Sequence, residues 1–254
     1  MQNLSLTALP DFPMVNPGDA LDELIIQTLD KAEITLETND VLVLAQKIVS
    51  KSENRYVDMA DVTPSAEALE LAEAVDKDPR QVQVVLSESK EVVRHAKGVL
   101  IVEHKLGFVS ANAGIDQSNI DHTDGAETLL LLPTDPDGSA SKLREQLNSH
   151  YNIDIGIVIS DSWGRPWRVG TVGMAIGASG LSAVWDLRGR PDLFGRELEA
   201  TDIGFGDEIA AAASLLMGQA DEGCPVILLR GIKNRGEDVP VKAMLRDRTG
   251  DLFR

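Results

Sequence analysis

Positive charge is scarce in this chain: 24 Lys and Arg stand against 41 Asp and Glu, a formal net charge of -17. Binding to nucleic acid depends on basic side chains displacing counterions from phosphates, so a polyanion such as DNA is excluded as a partner. Cysteine is almost missing. The single Cys224 rules out an intramolecular disulfide and a thiolate metal cluster, and a cytoplasmic protein is the simplest reading. Long apolar runs are missing too. The longest uncharged stretch, Val169 to Trp185, is dominated by Gly, Ala and Ser, is flanked by Arg168 and Asp186, and is short for a bilayer, so no membrane span is expected. The N-terminus lacks the basic and apolar regions of a secretory signal. Two phosphate-binding fingerprints are also absent. No G-x-x-x-x-G-K-[ST] occurs, and Gly164, Gly170, Gly173, Gly177 and Gly180 do not make a G-x-G-x-x-G, which excludes a P-loop and gives no Rossmann signature. The histidines His95, His104, His122 and His150 show no H-x-x-x-H spacing and read as surface or structural residues rather than zinc ligands.

What is present suffices for a substantial core. With 254 residues, 43% of them hydrophobic, the chain can fold as one large domain or two small ones. No tandem repeat or evident linker divides it, so any subdomains are expected to be interleaved. Charge is distributed unevenly. Acidic residues dominate Asp19 to Asp40 and Asp58 to Glu91, which read as solvated helix faces. Between Gly164 and Arg196, Arg165, Arg168, Arg188, Arg190 and Arg196 face only Asp186 and Asp192, a reversal of sign suited to a small anion.

Strand and helix patterns alternate. Val41 to Ala45 is a continuous apolar run, the pattern of a strand buried on both faces. It leads into Gln46, Lys47, Ser50 and Lys51. Pro64 to Val75 has helical spacing with Thr63 or Ser65 as cap, and Pro79 marks its end. Val99 to Val102 and Phe108 to Ser110 predict a hairpin around Lys105 to Gly107. Leu129 to Leu132 is a further apolar run. Ser139 or Ser141 is expected to cap a helix to about Ser149, and Ile153 to Ile159 to form a central strand. Asp207 and Glu208 suit the start of a helix whose apolar stripe is Ile209, Ala212, Ala213 and Leu216, with Gly218 as C-cap. Gln219 is left in the following loop, and Val226 to Leu229 is another buried strand. Gly173, Gly177 and Gly180 are expected to allow close backbone packing or tight turns.

Two polar clusters carry the chemistry: Asn112 to Asn119 and Ser160 to Arg168. Each follows an apolar strand-like run, where functional groups emerge from a sheet. Hard cations such as magnesium choose oxygen donors, and Asp116, Asn119, Asp161, Ser162 and Gln219 offer them. Trp163, Trp167 and Trp185 are candidates for stacking on a flat ring, or for plain packing.

These clusters, with Leu9-Pro10, Lys47 to Glu53, Asp135 to Ser139, Ala175 to Gly177, Gly189 to Leu198 and Asp207 to Gly218, stand in an order that resembles the coenzyme F-420:L-glutamate ligases, the gamma-glutamyl ligase family. The resemblance covers almost the whole chain. It implies a mixed α/β (α+β) fold of two discontinuous, interleaved subdomains with mixed sheets, a single unit over residues 1–254 without a C-terminal nitroreductase-like domain, and a homodimer. The implied reaction joins L-glutamate to the coenzyme F-420 precursor using GTP, through an acyl phosphate, with later glutamates gamma-linked. Magnesium or manganese is the implied cofactor, with potassium as a possible addition. Residue by residue, it implies Asp116 and Asp161 as catalytic metal ligands and Ser162 and Gln219 as further ligands; the paired guanidinium donors of Arg165 and Arg168 suit a clamp on phosphate or the anionic precursor, with Arg168 as a catalytic cation, or structural pairing with an aspartate. Nucleotide contacts fall on Leu9, Pro10, Gln46, Lys47, Lys51, Asn119, Gly218, Gln219 and Ala220. The alternatives are a metal-dependent phosphoester or acyl-phosphate hydrolase on the same aspartates, and a non-catalytic metabolite-binding subunit.

Overall fold

The structure is a computed structural model describing residues 3–120, 127–233 and 235–252; His122 lies outside the described residues. It is a mixed α and β protein built on several sheets. Strand β1 (Ser5–Ala8) precedes helix α1 (Leu21–Lys31), then β2 (Val41–Ala45) runs directly into α2 (Gln46–Ser52). After β3 (Tyr56–Asp58) come α3 (Ala66–Val75) and α4 (Pro79–Ser87), followed by β4 (Ser89–Ala96), β5 (Val99–His104), β6 (Val109–Ala111) and β7 (Thr128–Leu130). Helix α5 (Pro136–Tyr151), the long strands β8 (Gly156–Arg165) and β9 (Arg168–Ser179), the short β10 (Trp185–Asp186) and β11 (Asp202–Ile203), α6 (Phe205–Met217) and β12 (Val226–Arg230) complete the order.

The principal sheet has the order β1-β12-β2-β8-β9, with β2 and β8 parallel and the other neighbours antiparallel. Val41 to Leu44 are fully buried at its centre, which explains their unbroken apolar run. The largest core cluster joins this sheet to α1, α5 and α6 through Ile25, Leu29, Leu147, Ile157, Ile209 and Ala213. A second cluster, including Ala72, Val82, Leu100 and Val102, packs α3 and α4 on the three-stranded sheet β4-β5-β6. A third, Met59, Val84, Leu129 and Leu131, lies by the β3-β7 pair.

Several expectations shift. Ser65 does cap α3, accepting the Ala68 amide, but Asp76 in the left-handed conformation ends it and Pro79 starts α4 instead. Proline suits both the break after one helix and the first turn of the next, because that turn needs no amide donor. Helix α5 begins earlier than Ser139: Asp135 accepts the Gly138 amide and Pro136 holds the first position. In α6 the buried residues are Gly206, Ile209, Ala210 and Ala213, whereas Leu216 is 40% exposed. The glycine-rich stretch forms β9. A Cβ on Gly173 would lie 2.4 Å from the Ala210 carbonyl oxygen, and one on Gly177 2.4 Å from the backbone of Pro136. Those two glycines let α6 and α5 approach the strand. Gly180, with φ of +76°, turns the chain out of it.

Candidate active site

The register of the principal sheet brings distant segments to one edge. Ala8 pairs with Ile227, the Leu9 amide donates to Val226 O at 3.0 Å, the Ala45 amide donates to Pro225 O at 2.8 Å, and Ala45 pairs with Ser160. The exits of β1 and β2, the point where β8 leaves its pairing with β2 and the entry of β12 therefore form a row, holding Leu9-Pro10, Gln46-Lys47, Asp161-Ser162 and the 218–225 loop. Leu9 itself is fully buried in the core, so its side chain anchors the row while exposed Pro10 borders it.

Strand β8 does not stop at this edge. It continues with β9 as a hairpin, pairing Asp161 with Met174 and Ser162 with Gly173. Asp161 is thus a strand residue rather than the first residue of a loop. Its Oδ1 accepts the Ser162 amide at 2.7 Å and its Oδ2 accepts the Trp163 indole N–H at 2.8 Å. Trp163 in turn packs edge-on against Phe108, ring centres 5.0 Å apart. The indole is committed to a carboxylate and a phenyl ring, which leaves it ill placed as a stacking platform. Trp185 is likewise stacked within the protein, on Phe205 at 4.4 Å, and Trp167 is 83% exposed.

Asp116 arrives from another element. Asn112, Ala113 and Gly114 all have positive φ, and this left-handed turn delivers Asp116 to a two-bond backbone bridge with Leu130. The carboxylate then meets the start of α2. Lys47 Nζ lies 2.7 Å from Oδ1, and Gln46 Nε2 donates to Oδ2 at 2.6 Å. Gln46, only 1% exposed, is fixed from behind because its Oε1 accepts the Ser50 hydroxyl at 2.7 Å, one helical turn on. The buried Lys51 adds positive charge near Asp116.

The two aspartates feel each other. Burial, then the charge of Asp116, pushes Asp161 up to about 6, against the opposing Ser162 and Trp163 donors and Lys47. Burial also raises Asp116, although Lys47, Gln46 and Lys51 oppose it. Two carboxylates that repel across a half-buried space attract cations.

Gln219 reaches the same edge from the loop after α6. Its Oε1 accepts the Ser162 hydroxyl, and Ala220 O accepts Asn119 Nδ2 at 2.9 Å. Gly218 caps α6 with φ of +69°, and the Ala220 amide donates to Glu222 Oε2 at 2.8 Å, closing the loop. Asp116, Asp161, Ser162, Gln219, Asn119, Ala220, Gln46, Lys47 and Lys51 are therefore joined through one edge. Arg168 is not. It pairs with Arg165 at the hairpin end, about 13 Å along the strand from Asp161 at ~3.3 Å per residue. Arg188 is neutralised locally by Asp186 at 2.6 Å.

The donors suit a hard cation: two carboxylates, a hydroxyl and an amide carbonyl, all oxygen. Among the described residues no three His, Cys, Asp or Glu side chains cluster as a metal group, so any ion here depends on Ser162 and Gln219 or on ligand oxygens. Sequence reasoning missed the Lys47–Asp116 pair and the Phe108–Trp163–Asp161 chain. Only the four-residue spacing of Gln46 and Ser50 signals that Gln46 is held in place.

The scaffold is that of a mixed α/β protein, without a glycine-rich phosphate loop, that brings paired carboxylates and lysines to one edge of its principal sheet. The family follows from comparison with known proteins. Residues 11–231 match the model of F420-0:Gamma-glutamyl ligase, and the chain belongs to that family. It is 45% identical over 253 residues to the coenzyme F420:L-glutamate ligase of Methanothermobacter thermautotrophicus, covering 99% of each. It is 42% identical to the same-named protein of Methanocaldococcus jannaschii, over 96% of this chain and 94% of the relative. The Haloarcula marismortui relative of that name is 37% identical over 99% of this chain and 96% of its own length.

Proposed function

We propose that this protein joins L-glutamate to the coenzyme F-420 precursor at the expense of GTP. Family membership supports the glutamate ligation. The observation that carries the nucleotide and metal parts is the meeting of Asp116 and Asp161 beside Lys47 and Lys51. Phosphoryl transfer demands alignment and charge neutralisation more than a strong base.

In this reading a carboxylate oxygen of the precursor attacks the γ-phosphorus of GTP, the bond to the β-γ bridging oxygen breaks, and GDP leaves. The glutamate amine then attacks the acyl carbon of the acyl phosphate. The C–O bond to phosphate breaks, inorganic phosphate leaves, and the amine gives up a proton as the amide forms. Asp116, Asp161, Ser162 and Gln219 would hold magnesium or manganese, which would supply Lewis-acid neutralisation of phosphate oxygens. Lys47 and Lys51 add fixed positive charge, and Asn119 with the Gly218–Ala220 loop borders the nucleotide. Potassium is an optional further cation. The protein works in the cytoplasm as a homodimer of two interleaved subdomains per chain. Among the described residues no helix is long and apolar enough to cross a membrane.

Incubation with the precursor, GTP, manganese and L-glutamate, followed by mass analysis, tests this. Glutamate-sized additions with matching GDP release are expected. Phosphate release that proceeds unchanged without glutamate would instead identify a hydrolase.

A further inference from the structure

We propose that Lys47 is a resident countercation that occupies Asp116 in the ligand-free site and yields it only when a divalent cation arrives with a phosphate-bearing ligand. This rests on the metal and nucleotide reading above and specifies how that site loads.

Both oxygens of Asp116 are already engaged by the chain's own donors. Lys47 Nζ holds Oδ1 at 2.7 Å and Gln46 Nε2 holds Oδ2 at 2.6 Å. Gln46 is buried and fixed by Ser50, and Gln46 and Lys47 both sit at the start of α2, directly after the strand that pairs with β8. The Lys47 and Asp116 side chains are 26% and 21% exposed, so their attraction is only partly screened by water.

Charge decides what such a site accepts. Two carboxylates, Asp116 and Asp161, are matched by two ammonium groups, Lys47 and Lys51, both acting on Asp116. These two positive groups oppose the two negative ones within the chain itself. A bare dication must displace the Lys47 ammonium from Asp116 and leave it half-buried without its partner, beside a new double charge. A dication carrying a polyphosphate brings the replacement: phosphate oxygens accept the released ammonium, and their negative charge balances the ion. Cation and nucleotide are therefore expected to bind with positive coupling, each raising the other's affinity by the same factor. If Lys47 were only a phosphate contact, its removal would weaken nucleotide binding and leave free-cation affinity unmoved.

Manganese binding, followed by the electron paramagnetic resonance signal of free Mn2+, separates these cases on the full chain with and without GDP. Wild type is expected to bind Mn2+ weakly alone and more tightly with GDP. Lys47→Met should bind Mn2+ alone about tenfold or more tightly than wild type, the scale of a lost charged hydrogen bond, with the GDP gain reduced. Lys47→Arg, which keeps the cation, should stay near wild type without nucleotide. Lys47→Gln replaces the methionine variant if circular dichroism shows that variant unfolded. Unchanged or weaker binding of Mn2+ alone by the neutral variant, whatever GDP then adds, overturns the role of Lys47 and leaves the metal reading standing. No Mn2+ binding by any of these proteins, with or without GDP, overturns the metal reading itself.

Discussion

A single carboxylate at this sheet edge does two opposed things. Burial holds the folded Asp161 at about 6, above its ordinary 3.8, so the folded protein keeps a proton that the unfolded chain has released. The stability this contributes is full below about pH 4 and is lost as pH rises through about 6. At pH 7 the ionised group is a liability to folding, one that the proposed metal role would explain. Asp161→Asn should therefore stabilise the metal-free protein at pH 7 by roughly 1–3 kcal/mol, and by little at pH 4, as read from urea midpoints. The same change should lower glutamate addition by more than about 100-fold, the scale expected for a lost metal-site group. Asp116→Asn should match that loss of activity while circular dichroism stays native; full activity in either variant would remove it from the site. These aspartates were legible in the sequence because each follows an apolar run and is set among polar oxygens. Lys47 was legible as a charged residue at a strand exit, but its partner lies 69 positions away, and no local pattern encodes a contact made only by tertiary register.

Elements supply the scaffold through small residues. Helix α6 approaches β9 because Gly173 presents no side chain to the Ala210 carbonyl, and α5 approaches because Gly177 presents none to Pro136. Gly173→Ala and Gly177→Ala each force a Cβ onto backbone, which cannot swing aside. Each should destabilise by about 2–4 kcal/mol, seen as a lower thermal midpoint. Since Gly173 faces Ser162 across the hairpin, its variant should also lose activity at temperatures where it is still folded. A second element prediction concerns β5. His104 is 3% exposed; its Nδ1 accepts the Leu106 amide at 2.9 Å, and its Nε2 has no hydrogen-bond partner among the described residues, with Glu88 Oε2 3.8 Å away. Burial, then Lys105, Arg55 and Lys90, holds it down at about 4 against an ordinary 6.5. Below pH 6.5 the unfolded chain takes up a proton that the folded protein refuses, so this stability is full above 6.5 and declines as pH falls to about 4. The loss approaches roughly 3 kcal/mol. Urea midpoints at pH 7 and pH 4.5 should fall further for wild type than for His104→Gln. Strands β2 and β12 and the hairpin β5-β6 were legible from apolar runs and turn residues. The start of α5 was not, because serine, aspartate and proline all begin helices and only geometry chose Asp135. Strand β9 was hidden since its glycines, which weaken strand propensity, exist to admit helices.

At the scale of the molecule, sheet order was the least legible feature, because periodicity reports which face is buried and not which strands are neighbours. That order has a consequence beyond the active site. Strand β2 ends its pairing at Ser160, so β8 and β9 continue past it paired only with each other. A two-stranded ribbon is marginal in water unless one face is covered. The end of this ribbon carries Trp167 at 83% exposure and Val169 at 102%, and the 187–198 loop adds Leu193 at 100% and Phe194 at 96%. If the proposed homodimer uses this face, a second copy would be the cover for the ribbon. Association then works against a net charge of -17 on each chain, a repulsion that salt screens. The dimer should therefore tighten as ionic strength rises, the reverse of what a phosphate-binding surface would do. Sedimentation equilibrium should give twice 27.4 kDa for the wild type, with a dissociation constant that falls between low and moderate salt. Trp167→Glu combined with Val169→Glu puts like charges where the apolar cover is needed, and should weaken the dimer by at least about 100-fold. A double variant that remains dimeric at the same concentration would show that the ribbon end is not the contact between copies.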